Sequence, residues 1–226
     1  MIPLGVLAGS RHGLHTPDNT YIWTPEGLTP DTPLQEVPGW TAQNGYNIAT
    51  DGLGGTYLYH MRSGGGFNAT YHASWLTPGV LTDVDVTAEV WGVATATHLT
   101  IGPRVRAPEA GNSYYAQHNS YQALITGSSL NIFLQGPEQS IDQRVTLASA
   151  TLPVSPSHTD RWYIRLQAIG TTLKAKAWPK ETPVPETWLV TAEDATYASG
   201  YVGFSGFGRG TDSRAAWSLR VTDLAS

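Results

Sequence analysis

Three acidic residues fall within one short segment at a spacing that could support hydrolysis. Asp83, Asp85 and Glu89 alternate with apolar residues over 83–90, which places their carboxylates on one face of a predicted strand. Two carboxylates on one face can supply the nucleophile and the general acid of glycoside hydrolysis. The alternative, which we favour, is a solvated acidic face, because charged side chains usually remain exposed.

Two further motifs resemble chemical sites but do not match their patterns. His12 and His15 have neither the spacing of a zinc-binding helix nor a carboxylate motif nearby. The segment 203–207 fails the nucleophile-elbow pattern, because position 207 is Phe and the pattern is that of a strand. We therefore predict no catalytic residue, no metal site and no cofactor.

Aromatic and cationic side chains share the polar faces of several predicted strands. Aromatic rings beside hydrogen-bonding charges can stack on a sugar and orient it, although an aromatic residue on a sandwich can also simply cover a loop. The sequence nominates the concave sheet as the glycan-binding face. Its predicted contact residues are Trp91, Arg104, Tyr163, Arg165 and Trp178, with Lys174 and Lys176 on the same polar face.

The elements that must position these residues are short strands. Apolar and polar residues alternate over 83–90, 162–168 and 173–178, and the last two segments flank a Gly-Thr turn that predicts a hairpin. Leu99, Ile101 and Val105 alternate with Arg104, and Trp217 falls in phase with Leu219 and Val221. No segment of helical period exceeds a turn or two. We predict an all-β, two-sheet antiparallel jelly-roll sandwich whose last strand pairs near residues 40–48.

The first 38 residues differ from the rest. Five prolines fall in a stretch without sustained periodicity, which indicates an extended arm over 1–38 before a sandwich over 39–226. The arm carries four apolar residues that a neighbouring subunit could bury, namely Ile2, Leu4, Val6 and Leu7. The alternative is an arm that folds back over its own sandwich.

Composition excludes several classes of partner. A formal net charge of −5 lacks the basic face that a nucleic-acid binder needs. No apolar run is long enough to span a membrane, and residues 1–8 lack the features of a signal peptide. The absence of cysteine excludes disulfides and fits synthesis in a reducing cytoplasm.

Four stretches of the C-terminal part of the chain share a pattern of spacing and residue type, namely residues 161–167, the hairpin into 173–179, Glu186-Thr-Trp188 and Gly200-Tyr-Val-Gly-Phe204. In these stretches the chain resembles concanavalin A-like lectin and glucanase domains. The resemblance implies two curved antiparallel sheets. The related glucanases place Glu, Asp and Glu at alternating positions, whereas here Asp83 replaces the first Glu and Thr87 stands where the third acid is required. The departure predicts that the protein is not an enzyme.

Residues 1–8, Met-Ile-Pro-Leu-Gly-Val-Leu-Ala, resemble the start of minor structural proteins of tailed phages that infect actinobacteria. This resemblance implies a non-enzymatic virion protein, tail-associated and lectin-like, that contacts a host cell-surface glycan or decorates the particle. It implies localisation in the virion, assembly in the host cytoplasm, and an oligomeric state held through other virion proteins that dock on the N-terminal arm. The alternative is a bacterial carbohydrate-binding module or glucanase relative.

Overall fold

The computed structural model describes residues 14–16, 18–42, 46–50, 55–60, 70–91, 98–105, 120–136, 144–157, 160–207 and 214–225. These residues form sixteen strands and one short 3-10 helix, Leu34–Glu36. The strands are β1 Leu14–Thr16, β2 Thr20–Trp23, β3 Trp40–Ala42, β4 Tyr46–Thr50, β5 Thr56–His60, β6 Thr70–Trp75, β7 Val84–Trp91, β8 His98–Val105, β9 Ser120–Thr126, β10 Ser129–Gln135, β11 Val145–Thr151, β12 Arg161–Ile169, β13 Thr172–Pro179, β14 Val190–Glu193, β15 Tyr201–Phe207 and β16 Arg214–Asp223.

The strands form two antiparallel sheets. Sheet A has nine strands in the order β1-β2-β16-β7-β12-β13-β14, with β5 also paired to β16 and β4 paired to β5. Sheet B has seven strands in the order β11-β10-β9-β8-β15-β6-β3. The predicted all-β, two-sheet architecture is confirmed, and the only helical segment among the described residues is the single 3-10 turn.

The core lies between the sheets and follows the two-residue period of the strands. On β12 the buried residues Trp162, Ile164, Leu166 and Ala168 alternate with partly exposed ones. The predicted hairpin is confirmed, with Ile169 opposite Thr172 across a two-residue turn. Glycine opens that turn with a φ of 55°, the conformation that a hairpin turn of the II′ type requires at its first central position.

Two details of the C-terminal strand were predicted wrongly. Strand β16 pairs with β2, β5 and β7, not with residues 40–48. A bulge between Ala216 and Ser218 shifts the register against β7, so Trp217 leaves the phase of Leu219. Its ring instead meets Tyr57, with ring centroids 5.3 Å apart, on the outer face of sheet A.

The extended arm predicted over residues 1–38 reaches further into the sandwich than expected. Strand β2 pairs with β16, and Trp23, Leu34 and Val37 are at most 2% exposed in the core. Trp23 packs against Trp40 with ring centroids 4.9 Å apart. The predicted docking residues Ile2, Leu4, Val6 and Leu7 lie outside the described residues. Residues in the range 18–38 therefore contribute to the core of the sandwich.

No helix among the described residues has the length and hydropathy needed to cross a membrane.

Candidate functional site

The outer face of sheet A carries ordered rows of polar and aromatic side chains across β16, β7, β12 and β13. Cross-strand register places Tyr163 between Glu89 and Trp178. The next row along the strands places Arg165 between Thr87 and Lys176. Residues directly opposite each other on one face of antiparallel strands lie within side-chain contact. The face is therefore a set of cross-strand pairs.

A diagonal contact between adjacent rows joins Asp85, which lies opposite Gln167, to Arg165. The guanidinium of Arg165 donates from Nε and Nη2 to the two carboxylate oxygens of Asp85, at 2.7 and 2.6 Å. Gln167 donates a third hydrogen bond to the same carboxylate at 2.8 Å. The hydrogen bonds that Arg165 donates to Asp85 raise the pKa of Arg165 above its ordinary value, although partial burial opposes the shift.

The second buried carboxylate, Glu89, is held by two cations. Arg161 and Lys180 both form ion pairs with Glu89 Oε1, the latter at 2.9 Å. The Tyr163 hydroxyl donates to Oε2 at 3.4 Å. Burial raises the pKa of Tyr163, and the negative charge of Glu89 raises it further. Asp85 and Glu89 are each 7% exposed, so the predicted solvated acidic face is wrong.

The segment that connects β13 to β14 packs on the same face. Residues 180–189, which we call the strap, connect β13 to β14 and lie over the outer face of sheet A. Lys176 donates from Nζ to the carbonyl of Pro185 at 2.6 Å. The Trp188 ring lies 5.2 Å from the Arg165 guanidinium and 5.0 Å from Lys176 Nζ. Burial lowers the pKa of Lys176, and the nearby Arg165 cation adds to that effect.

Beside the strap the face opens into a cleft of about 400 Å³, which we call the outer cleft. Its polar lining comes from strand residues that present hydroxyl, amide, carboxylate and guanidinium groups. Its apolar lining comes from an indole and two aliphatic side chains. The lining residues are Asp85, Thr87, Arg165, Gln167, Arg220 and Thr222 on the polar side, and Trp178, Val184 and Leu224 on the apolar side.

The aromatic residue of the cleft is held by a stack. Trp178 and Tyr163 lie with ring centroids 5.4 Å apart and planes inclined by 29°. Only 6% of Trp178 is exposed, so only a small part of its indole ring lines the cleft. A ring fixed in this way offers a preorganised apolar surface beside hydrogen-bonding groups.

The structure brings together most, but not all, of the predicted glycan-binding residues. Tyr163, Arg165 and Trp178 lie on the outer face of sheet A, and Arg165 and Trp178 line the cleft. Trp91 ends β7 in the same sheet, but its side chain is outside the described part of the chain. Arg104 belongs to β8 of sheet B, so it cannot share that face.

Several cleft residues were missed in the sequence. Thr87, Gln167 and Arg220 occupy outward positions in the alternation of β7, β12 and β16, so the same period that identified Arg165 could have found them. Val184 and Leu224 carry no such signal. They belong to irregular segments that reach the cleft only through tertiary packing.

Sheet B carries a polar cluster of a different kind. Gln122 donates to Ser120 Oγ at 3.0 Å and to Gln135 Oε1 at 3.2 Å, and it accepts from Arg144 at 3.3 Å. The three uncharged residues are each 1% exposed. Arg144 also lies over the Phe133 ring at 4.4 Å. Because these groups are buried and bond to one another, the cluster is better suited to stabilising the sheet than to contacting a ligand.

No cluster of three potential metal ligands occurs within the described ranges. His12 falls outside them, and of His15 only the backbone is described. The Asp83 carboxylate accepts from the backbone N–H of Gly170 at 2.8 Å, so it caps the β12–β13 hairpin.

The sequence matches no protein-family model and no curated protein. Solved structures do match the fold. The VIP36 exoplasmic/lumenal domain in its Ca²⁺/Man3GlcNAc-bound form aligns with a TM-score of 0.56 and 12% identity, over 95% of this chain and 91% of that one. Lectin II from Ulex europaeus aligns at 0.55 and 9% identity, over 91% and 98% of the two chains. A Bacillus subtilis protein of unknown function with a galectin-like fold aligns at 0.53 and 13% identity, over 87% and 95%.

At these identities the likeness shows the fold alone. The chain has the lectin-like jelly-roll fold of these neighbours, which confirms the fold predicted from the concanavalin A-like resemblance.

Proposed function

We propose that this protein is a non-enzymatic, lectin-like carbohydrate-binding protein and that its saccharide binds in the outer cleft. The observation that carries the proposal is the division of the cleft into hydrogen-bonding strand residues and an apolar wall around Trp178. A sugar ring has the matching division, with hydroxyl groups at its edge and C–H groups on its faces. The lectin-like fold supports the same function.

The polar groups of the cleft are held ready for such a ligand. Arg165 and Gln167 are both fixed by Asp85, so little side-chain entropy is lost when a saccharide hydroxyl joins this network. Arg220 is exposed at the cleft and can donate several hydrogen bonds. Val184, 54% exposed, adds apolar surface from the strap.

The acidic residues of this face support binding rather than hydrolysis. A glycosidase needs one carboxyl group that donates a proton and a second that attacks or activates water. Here Asp85 accepts three hydrogen bonds, and Glu89 is paired with two cations. Both carboxylates are committed to holding neighbouring side chains. We therefore infer that the bound saccharide leaves unchanged.

A glycan array probed with the full-length protein tests the proposal, followed by calorimetry on the best saccharide. Arg220→Ala and Trp178→Leu should each weaken binding at least about tenfold, which corresponds to about 1.4 kcal/mol. Lys174→Ala is the matched control, because Lys174 lies on the same outer face but does not line the cleft. Its affinity should equal that of the unmodified protein.

Three results would contradict the proposal. One is the absence of any saccharide ligand on the array, and another is binding that Arg220→Ala and Trp178→Leu leave unchanged. The third is the release of reducing sugar from the bound glycan, which would show an enzyme.

We further propose, from the resemblance of residues 1–8 alone, that the protein is a tail-associated virion protein of a tailed phage. Its partners would be other virion proteins and a host cell-surface glycan, and no nucleic acid or membrane. Mass spectrometry of purified particles of a phage that encodes this chain should detect the chain at stoichiometric amounts. Its absence from the particles, with the free chain present in the lysate, would contradict this placement.

A further inference from the structure

One edge of the sandwich is open within the part of the chain that the structure describes. Strand β11 ends sheet B, and its seven residues, Val-Thr-Leu-Ala-Ser-Ala-Thr, include no charge, proline or glycine. Four of them are exposed, Val145 to 49%. Among the described residues none pairs with its outer side. Natural proteins blunt edge strands with charges, prolines or short length, because an open edge recruits another strand.

The other sheet margins in the described chain are shorter or covered. Strands β1 and β3 have three residues each, and β14 has four, ending in a glutamate. The outer side of β4 is occupied, because Asp31 donates to the Ile48 carbonyl at 2.7 Å and Ile48 donates to the Thr32 carbonyl at 2.9 Å. Among the described edge strands, only β11 combines length with an uncharged, exposed edge.

The core beside this edge is incompletely covered. Strands β11 and β14 lie next to each other where the two sheets meet at one side of the sandwich. Leu147, Ala148 and Ala150 on β11 and Ala192 on β14 are only partly buried, although they pack against the core. A strand added to β11 would cover these four residues, because every second side chain of the added strand would point toward them. The site needs a donor with large apolar residues at alternate positions.

Residues 2–6 of this chain have that pattern, and Leu7 and Ala8 follow them. Ile2, Leu4 and Val6 alternate with Pro3 and Gly5. We propose that residues 2–8 of one copy, the donor arm, add as a strand to β11 of a second copy. This inference is independent of the proposed saccharide site, which lies on the outer face of sheet A.

Chain length determines that the donor comes from another copy. Strand β1, which follows the donor arm, lies at the margin of sheet A opposite to β14, six strand positions away. Six interstrand spacings of about 4.8 Å amount to about 29 Å. The six residues from Ala8 to Leu14 span at most about 21 Å when fully extended. The arm therefore cannot reach β11 of its own chain.

Complementation between two full-length variants tests the proposal. The donor variant has a disabled donor arm, through Ile2→Ser, Leu4→Ser and Val6→Ser, and an intact β11. The acceptor variant has an intact donor arm and a disabled β11, because Ala150→Lys places a charge at that edge. The unmodified protein should self-associate with concentration in sedimentation experiments, whereas each variant alone should remain at the chain mass of 24.3 kDa. An equimolar mixture should form a complex of twice that mass and nothing larger, because only one donor and one acceptor remain intact.

Two controls keep the test decisive. If Ala150→Lys does not fold, as judged by thermal unfolding, Ser149→Lys replaces it, because Ser149 is exposed. Since the chain has no cysteine, Val6→Cys and Ser149→Cys on separate copies should form an intermolecular disulfide. The proposal is overturned if the unmodified protein stays at 24.3 kDa at all concentrations, if the mixed variants do not associate, or if the acceptor variant self-associates normally.

Discussion

The Arg165 guanidinium meets the Asp85 carboxylate in a two-point hydrogen-bonded pair, with donor–acceptor distances of 2.7 and 2.6 Å, across adjacent strands of sheet A. The two side chains differ in exposure, at 33% for Arg165 and 8% for Asp85. The pair therefore anchors the floor of the outer cleft while only its cationic member reaches solvent.

Removing the cation from this pair should destabilise the fold. Arg165→Met leaves Asp85 buried without its counter-charge, and the cost should be roughly 2–3 kcal/mol, below that of a fully buried pair because Arg165 is partly hydrated. Arg165→Lys should reduce the free energy of unfolding less, because it keeps the positive charge and loses only the two-point geometry of the guanidinium. Urea unfolding measures both. Equal stability of Arg165→Met and the unmodified protein would show that the pair contributes nothing.

Gly39 should tolerate alanine less well than Gly27. Both have positive φ, 83° and 81°, so both substitutions cost about 1 kcal/mol in backbone strain. A Cβ on Gly39 would also clash with the Thr77 hydroxyl, whereas a Cβ on Gly27 meets nothing. Thermal unfolding should therefore rank Gly39→Ala below Gly27→Ala. Adding Thr77→Ala should close most of the gap, and a gap that remains unchanged would refute the clash.

Leu34 should behave as a core residue although it precedes the region predicted as the sandwich. It is fully buried, so Leu34→Ala should cost about 2–5 kcal/mol in denaturant unfolding. Leu76→Ala, at a residue 37% exposed, is the control and should cost far less. If both variants unfold like the parent protein, residues 18–38 are a separable arm after all.

Asp194 should make stability depend on pH at the acidic end. Burial raises its pKa, but hydrogen bonds from the Tyr121 hydroxyl at 2.6 Å and from Thr196 outweigh burial and hold it below the ordinary value of 3.8. A carboxyl group with a lowered folded-state pKa stabilises the fold above its unfolded value, and that contribution is lost as the pH falls through the folded value. Tyr121→Phe should therefore cost about 1.5–3 kcal/mol at neutral pH and progressively less below about pH 4.

Tyr197→Phe is the matched control for this effect. It removes a hydrogen bond at 2.8 Å to the Gln135 carbonyl, which is uncharged. Its cost should be the same at pH 7 and pH 3, as measured by urea unfolding at each pH. A Tyr121→Phe cost that is equally constant would disprove the role of Asp194.

Local features were predictable wherever a two-residue period or a turn determined them. The β12–β13 hairpin followed from alternation around Gly170, because both the turn and the pairing lie within one short segment. Strand β7 followed from the alternation of valines with acids. The position of Trp217 could not be predicted in this way, because a bulge inserts one residue and reverses which face of the sheet the side chains beyond it point to.

The candidate site likewise combines residues that could be predicted from their own strands with residues that could not. Tyr163, Arg165 and Trp178 could be placed on one face from their own strands, since outward positions recur every second residue. Arg104 has the same local pattern, yet it lies in the other sheet. Which sheet a strand joins depends on its pairing partners, and these are distant in sequence.

What the amino-acid sequence determined by itself was therefore the all-β class, the hairpin and the sharing of one strand face by Asp85 and Glu89. Only the tertiary structure determined that this face is buried. The strap, about 95 residues later in the chain, lies over sheet A, and Arg161, Arg165 and Lys180 pair with the two acids. Periodicity is a property of neighbouring residues, whereas burial depends on which distant segment packs above them.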